Sequence, residues 1–347
     1  MNDIKKSEGY ILVLTLMILS IITIIATQLF NRGTVHIHFD QTMIEREKAK
    51  TLALGGIQLA FSQLSLSKTG TGEGKQDNKE IFKRVIPVLN RVQEFSLNKK
   101  VDGIDGSVSI VIMCEQGKID INQFFDFEQK KFINEGKQAG DAKKLFQEIF
   151  NSMRKFDSDK DLFSSFEKFL KQRNYKLTDV TELLTIPEFQ RSFSQILFYE
   201  PPIKGIKAKR PIYLTDIFTV YSNKKTLQPW FLSDSICALF NLKRAESGDI
   251  EKRLKYATDI AKEFKGFTAP AAQIWEKQLQ PFYGKDFKGL PKFAQELLQN
   301  PFEPTMFSVL SFGKIGAITQ KIFAIIERRA KKTDAQEEFI IQKLYWL

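Results

Sequence analysis

Cysteine and histidine are almost absent, with two of each in 347 residues. Cys114 and Cys237 are too few for a zinc ribbon or a disulfide-dense scaffold. His36 and His38 leave almost no material for a histidine-based metal site or a catalytic triad. The chain also lacks a glycine-rich phosphate loop, a serine nucleophile elbow, a His-Glu-x-x-His pair and a paired-carboxylate signature, so no enzyme motif is present. Glycine and proline number 19 and 11, too few for a collagenous or low-complexity chain. Tyrosine is scarce beside phenylalanine, 8 against 31, which reads as a compositional bias shared with lysine and isoleucine rather than as an aromatic binding surface. What remains is an ordinary globular share of hydrophobic residues, 43%, in a chain long enough for two domains or for one with a large insertion.

Basic residues outnumber acidic ones by 52 to 41, a formal charge of +11. A nucleic-acid or anionic-membrane partner would need such a surface. The charges are nevertheless mixed along the chain, as in Glu45-Arg46-Glu47-Lys48, and read as solvated helix faces. Leu183-Leu184-Thr185-Ile186-Pro187 has the form of a DNA-binding helix-hairpin-helix, but Glu188 stands where glycine would let the backbone approach phosphate, so no nucleic-acid partner is expected.

Against this background one long apolar run stands out. Tyr10 to Phe30 contains no charged residue, and a helix of that length spans a hydrocarbon core of roughly 30 Å. Thr15, Ser20, Thr23 and Thr27 are tolerable there because hydroxyls bond back to helix carbonyls. The run is too long for a secretory signal peptide, and Ala26-Thr27-Gln28 is a poor cleavage site. Before it stands a short polar leader, MNDIKKSEG, with Lys5 and Lys6, ending in Gly9 and followed by the aromatic Tyr10.

This arrangement resembles the prepilin leader, which implies cleavage after Gly9 by a prepilin peptidase and methylation of the new N-terminus at Tyr10. Most pilins carry a glutamate at the fifth mature position, where it neutralises a neighbouring subunit's terminal amine inside the filament; here that position is Leu14. The pilin-like subunit lacking this glutamate resembles the type II secretion system protein K family, the minor pseudopilin at the filament tip. That resemblance implies an inner-membrane, single-pass protein with a periplasmic soluble domain. Its partners would be the other minor pseudopilins, the major pseudopilin, the prepilin peptidase and the inner-membrane secretion platform. Charge alone is ambiguous for topology, because Arg32, Arg46, Lys48 and Lys50 follow the apolar run, and the leader resemblance decides the orientation.

The expected fold class is α+β: a long N-terminal membrane helix, a pilin-like antiparallel sheet and a large helical insertion. Leader, membrane helix and stem with the start of the pilin-like domain are assigned to 1–9, 10–30 and 31–122; the helical insertion to 123–205; and the return to the sheet, with further helices, to 206–347. Leu54, Ile57, Phe61 and Leu64 recur at helical intervals and predict an amphipathic stem, which Gly55-Gly56 weakens unless a backbone packs closely there. Lys68 to Lys79 reads as a loop. A hairpin is predicted with arms Ser107–Met113 and Lys118–Asn122, its turn using Gly117 for positive φ, and Asn122 is read as a turn or helix cap. The segment CEQGKIDINQFF also resembles protein K sequences at the point where the chain leaves for its helical insertion.

Helices are predicted over Asp141–Phe156 and Lys160–Arg173, with a capped turn from Thr178 that stops at Pro187. Ile217–Tyr221 is expected as the strand returning to the sheet, followed by a helix from Ser233 to Leu242 and a mostly helical stretch from Asp249 to Asn300. Met306–Phe312, Ala317–Arg329 and Glu338–Leu347 suit a closing antiparallel meander.

Site candidates are few. Gly9 and Tyr10 mark processing and Leu14 the missing glutamate. Cys114 and Cys237 are either one disulfide, as an oxidising periplasm allows, or two separate buried thiols. His36, His38 and Asp40 would share a face only in a strand; in a helix a spacing of two points them about 200° apart. The resemblance leaves calcium open, since some members of the family bind it through acidic loops, but its ligands are not identified in this chain, and Asp157–Asp161 reads as a helix start. No cofactor is therefore assigned. The function expected is a non-enzymatic tip subunit that nucleates a secretion pseudopilus. The alternative is a membrane-anchored periplasmic enzyme or binding protein with an uncleaved anchor.

Overall fold

A computed structural model describes residues 4–65, 78–137, 140–156, 161–200, 212–243, 250–263, 271–299, 302, 304–330 and 337–347. The predicted loop Lys68–Lys79 falls almost wholly outside the described residues, as do residues 157–160 of the acidic run and the approach to the return strand at Arg210. The fold is α+β, a long N-terminal helix laid on an antiparallel sheet with many further helices.

Helix α1 runs unbroken over Ile4–Leu64, 61 residues or about 90 Å. Helix α2 (Asn78–Val88) follows it. The sheet has five strands in the order β1 (Val92–Leu97), β2 (Gly106–Cys114), β3 (Met306–Ile315), β4 (Ile318–Ala330) and β5 (Glu337–Trp346), every neighbour antiparallel. Three of these strands are the predicted closing meander, found within a few residues of the expected bounds.

Only the last turns of α1 touch the sheet. Ala49, Ala53, Gly56, Ala60 and Leu64 are spaced by three or four, form one stripe, and are buried against β2, β3 and β4. The contact is close because both sides are small. A Cβ on Gly313 of β3 would lie 2.0 Å from the Ala49 carbonyl oxygen, and one on Gly56 would lie 2.1 Å from Ser311 Oγ. The glycine pair therefore divides its work: Gly56 is the close approach, while Gly55 faces open space.

The opposite face of the sheet is also covered. Val111, Met113, Leu310, Phe323 and Ile325 pack with Tyr199 and Tyr213, which explains why β2 reads as a near-continuous hydrophobic run. The further helices include α3 (Ala142–Met153), α4 (Leu162–Gln172), α5 (Pro187–Phe193), α6 (Asp234–Leu239) and α7 (Ile250–Glu263), whose apolar side chains belong to one core with those of α1 and α2, α7 packing against α2. Phe146, Phe150, Phe166, Phe189 and Phe218 stack or meet edge-on among them, so much of the phenylalanine excess is core. Asp141 and Asp161 cap α3 and α4 by accepting backbone N–H groups.

Three expectations are corrected. The 107–122 hairpin does not form: β2 pairs with β1 and β3, while Ile119–Asp120 makes a two-residue parallel pair with Phe218–Thr219. Gly117 has no positive φ; it is required because a Cβ there would sit 1.8 Å from the Phe231 carbonyl oxygen. Ile217–Tyr221 does not rejoin the large sheet, since Leu214–Ile217 is a single helical turn and the chain re-enters the sheet only at Met306. Pro187, expected as a stop, ends the 3-10 turn Val180–Thr185 and also begins α5, where its missing N–H costs nothing.

Candidate functional site

Helix α1 has two halves with opposite surroundings. From Tyr10 to Ile44 every side chain is exposed, including Tyr10 (70%), Leu14 (44%), Phe30 (81%) and Phe39 (62%), and the stretch has the length and apolar composition to cross a membrane. The hydroxyls of Thr15, Ser20, Thr23 and Thr27 donate to the carbonyls of Leu12, Leu16, Leu19 and Thr23 at 2.8–2.9 Å, so these polar groups are satisfied within the helix. Gly9 and Tyr10 sit within continuous helical backbone, and Leu14 presents an aliphatic side chain one turn further along. His36, His38 and Asp40 stand on this same helix, and no group of three or more metal-ligating side chains occurs among the described residues.

Where α1 meets the head, an open groove of about 470 Å³ lies beside Met43, Ile44, Leu52 and Ile104, with Glu47 and Lys48 at its rim. The apolar surface of the helix thus continues into the base of the globular part.

A second feature is a buried polar seam on the far side of the sheet. Lys118 is fully buried and donates to Glu115 Oε1 at 2.5 Å and to Ser308 Oγ of β3 at 2.9 Å. Thr219 donates to the other Glu115 oxygen. Asp120 accepts from the N–H groups of Asn122 and Asn223 at 3.1 and 2.8 Å and from Ser222 Oγ at 3.1 Å. Burial pushes the Asp120 carboxyl up to about 6, with the Glu115 charge adding to it and those hydrogen bonds opposing. Asp216 is raised by burial as well, against the nearby Lys118.

Asn122 is no cap. Its Oδ1 accepts from Leu177 N–H at 2.9 Å while its Nδ2 donates to Leu177 O at 2.8 Å, a two-way clamp between segments 55 residues apart. Of the two readings left open for the cysteines, the structure has two separate buried thiols, Cys114 and Cys237, with no disulfide between them. Cys114 lies in the apolar core, and burial raises its thiol above the usual range.

Sequence reasoning singled out the Glu-Gln-Gly-Lys turn and Asn122 but missed their tertiary partners. Asp216, Thr219 and Ser308 carried no signal, because each is a single polar residue whose partner lies far along the chain.

No protein-family model matches this chain, and no curated protein matches it. Among solved structures it is similar to a chain of the GspK-GspI-GspJ complex from the enterotoxigenic Escherichia coli type 2 secretion system. The two are 12% identical with a TM-score of 0.42, and the likeness covers 91% of this chain and 99% of that one.

Proposed function

We propose that this chain is a minor pseudopilin of a type II secretion pseudopilus, anchored in the inner membrane with its head in the periplasm. The observation that carries the reading is the division of α1: an exposed apolar half that is long enough to span a bilayer, continuous with a half that forms the spine of an α+β head. Such a helix transmits the position of the membrane segment rigidly to the head. The protein then acts by packing rather than by chemistry. Its partners are other pseudopilins through the exposed helix, the prepilin peptidase at Gly9, and the inner-membrane platform of the secretion machine.

Leu14 supports a place at the tip. A subunit buried along a shaft answers the next subunit's terminal amine with a carboxylate, and an unanswered charge in an apolar core is costly. A subunit with Leu14 can come first, nucleate assembly, and cap the filament. One labelled copy per filament, at one end, is expected; labels spread along the shaft would overturn the tip assignment.

The mature N-terminus tests the wider reading. Mass spectrometry of protein from cells with an active prepilin peptidase is expected to find a methylated Tyr10, and Gly9→Val to leave the longer precursor. An intact Met1 would instead mark a plain signal anchor and remove the filament reading.

A further inference from the structure

The buried seam contains more negative groups than it can neutralise. Lys118 is already engaged by Glu115 and Ser308. Asp216 lies beside this pair at 1% exposure; its carboxyl is hydrogen-bonded by Ser235 alone, through the backbone N–H to Oδ2 at 2.8 Å and through the hydroxyl, and its Oδ1 is buried with no partner. The groups facing it come from two elements. Glu115 and Lys118 come from the turn after β2, and Ser233, Asp234 and Ser235 come from the start of α6, where Ser233 Oγ donates to the Asp216 carbonyl. Asp234 in turn feels the Arg253 guanidinium, which donates to the Leu89 carbonyl.

An ionised carboxylate with one bare oxygen in a dry interior, next to a second carboxylate, costs far more than the neutral acid. We infer that Asp216 is a proton-binding site: it holds a proton at neutral pH, and the joint between sheet and helical layer is linked to that proton. This inference stands on the head alone and is independent of the filament reading.

The sign follows from linkage. The folded state holds the proton more tightly than the unfolded chain, so this contribution to stability is full below the ordinary carboxylate range. It is lost as pH rises toward the folded value. Within that window the unfolding equilibrium constant grows by up to about tenfold per pH unit for one linked proton.

The test uses the full chain in detergent, with Asp216→Asn as the neutral variant that keeps an oxygen for Ser235. Infrared spectra at about pH 8, above the range in which Asp120 titrates, are expected to contain a protonated-carboxyl band in the wild type that shifts when aspartate is ¹³C-labelled and is missing in Asp216→Asn. Urea unfolding is expected to give coincident stabilities at the acid end and a flatter pH dependence for the variant. Should the variant fail to fold, the labelled wild-type band decides alone. Absence of that band, its persistence in the variant, or parallel pH profiles would overturn the assignment.

Discussion

Asn122 holds both polar atoms of the Leu177 backbone, and Leu177 is itself buried, so removing the amide takes the protein partners from both its N–H and its C=O. Asn122→Ala is therefore expected to cost about 2 kcal/mol, read as a lowered urea midpoint with an unchanged slope. A change below a few tenths of a kcal/mol would mean that the clamp is solvent-replaced. The same scale explains why an Asn reads so easily as a cap. Its side chain satisfies free backbone groups in either role, and only the position of Leu177 distinguishes a local bond from one that spans the fold. Cys114 and Cys237 show a related limit: an oxidising compartment permits a bridge, but whether two thiols meet is a property of the packed chain, and here no disulfide joins them.

At the scale of the element, α1 owes its position to small residues rather than large ones. Ala49, Ala53 and Gly56 let the helix backbone approach Gly313 and Ser311 of β3. The two neighbouring glycines should then respond with opposite signs to the same substitution. Gly55→Ala meets nothing within 4 Å and is expected to stabilise the head by up to about 1 kcal/mol through helix propensity. Gly56→Ala would place a methyl 2.1 Å from Ser311 Oγ and 2.9 Å from Ile110 and Val108, and is expected to destabilise by about 1 to 3 kcal/mol. Thermal or urea unfolding of the pair checks this, and equal effects would show that the close approach has been misread. Strand β1 (Val92–Leu97) marks what the pattern hides: as a half-exposed edge strand containing Gln93 and Glu94 it lacks the hydrophobic signal that betrayed β2.

For the whole molecule the exposed and packed halves of α1 predict a separable head. Side chains from Tyr10 through Ile44 are exposed, so they bury nothing against the sheet. A chain beginning at Glu45 is expected to unfold at the same denaturant concentration as the full-length protein while no longer requiring detergent, because folding energy resides in the area the head itself buries. A markedly lower midpoint would mean that the free half supports the head.

The long apolar N-terminal helix, the stem, strand β2 and the closing meander were legible in the sequence because each is set by local periodicity: an uncharged run long enough for a bilayer, a three-to-four spacing, a β-branched or apolar run. Gly9 and Leu14 were legible only as a pattern, and among the described residues the fold gives them no partner chemistry beyond a place in continuous helix. Tertiary structure alone decided that β2 pairs with β3 rather than with the Lys118–Asn122 segment, and that Gly117 yields to the Phe231 carbonyl. It also decided that Asn122 clamps Leu177, and that Asp216 keeps one oxygen unpartnered beside Glu115 and Lys118. The physical reason is the same in each case. Burial and hydrogen-bond partners are set by segments tens to hundreds of residues apart, and no local period encodes which of them will meet.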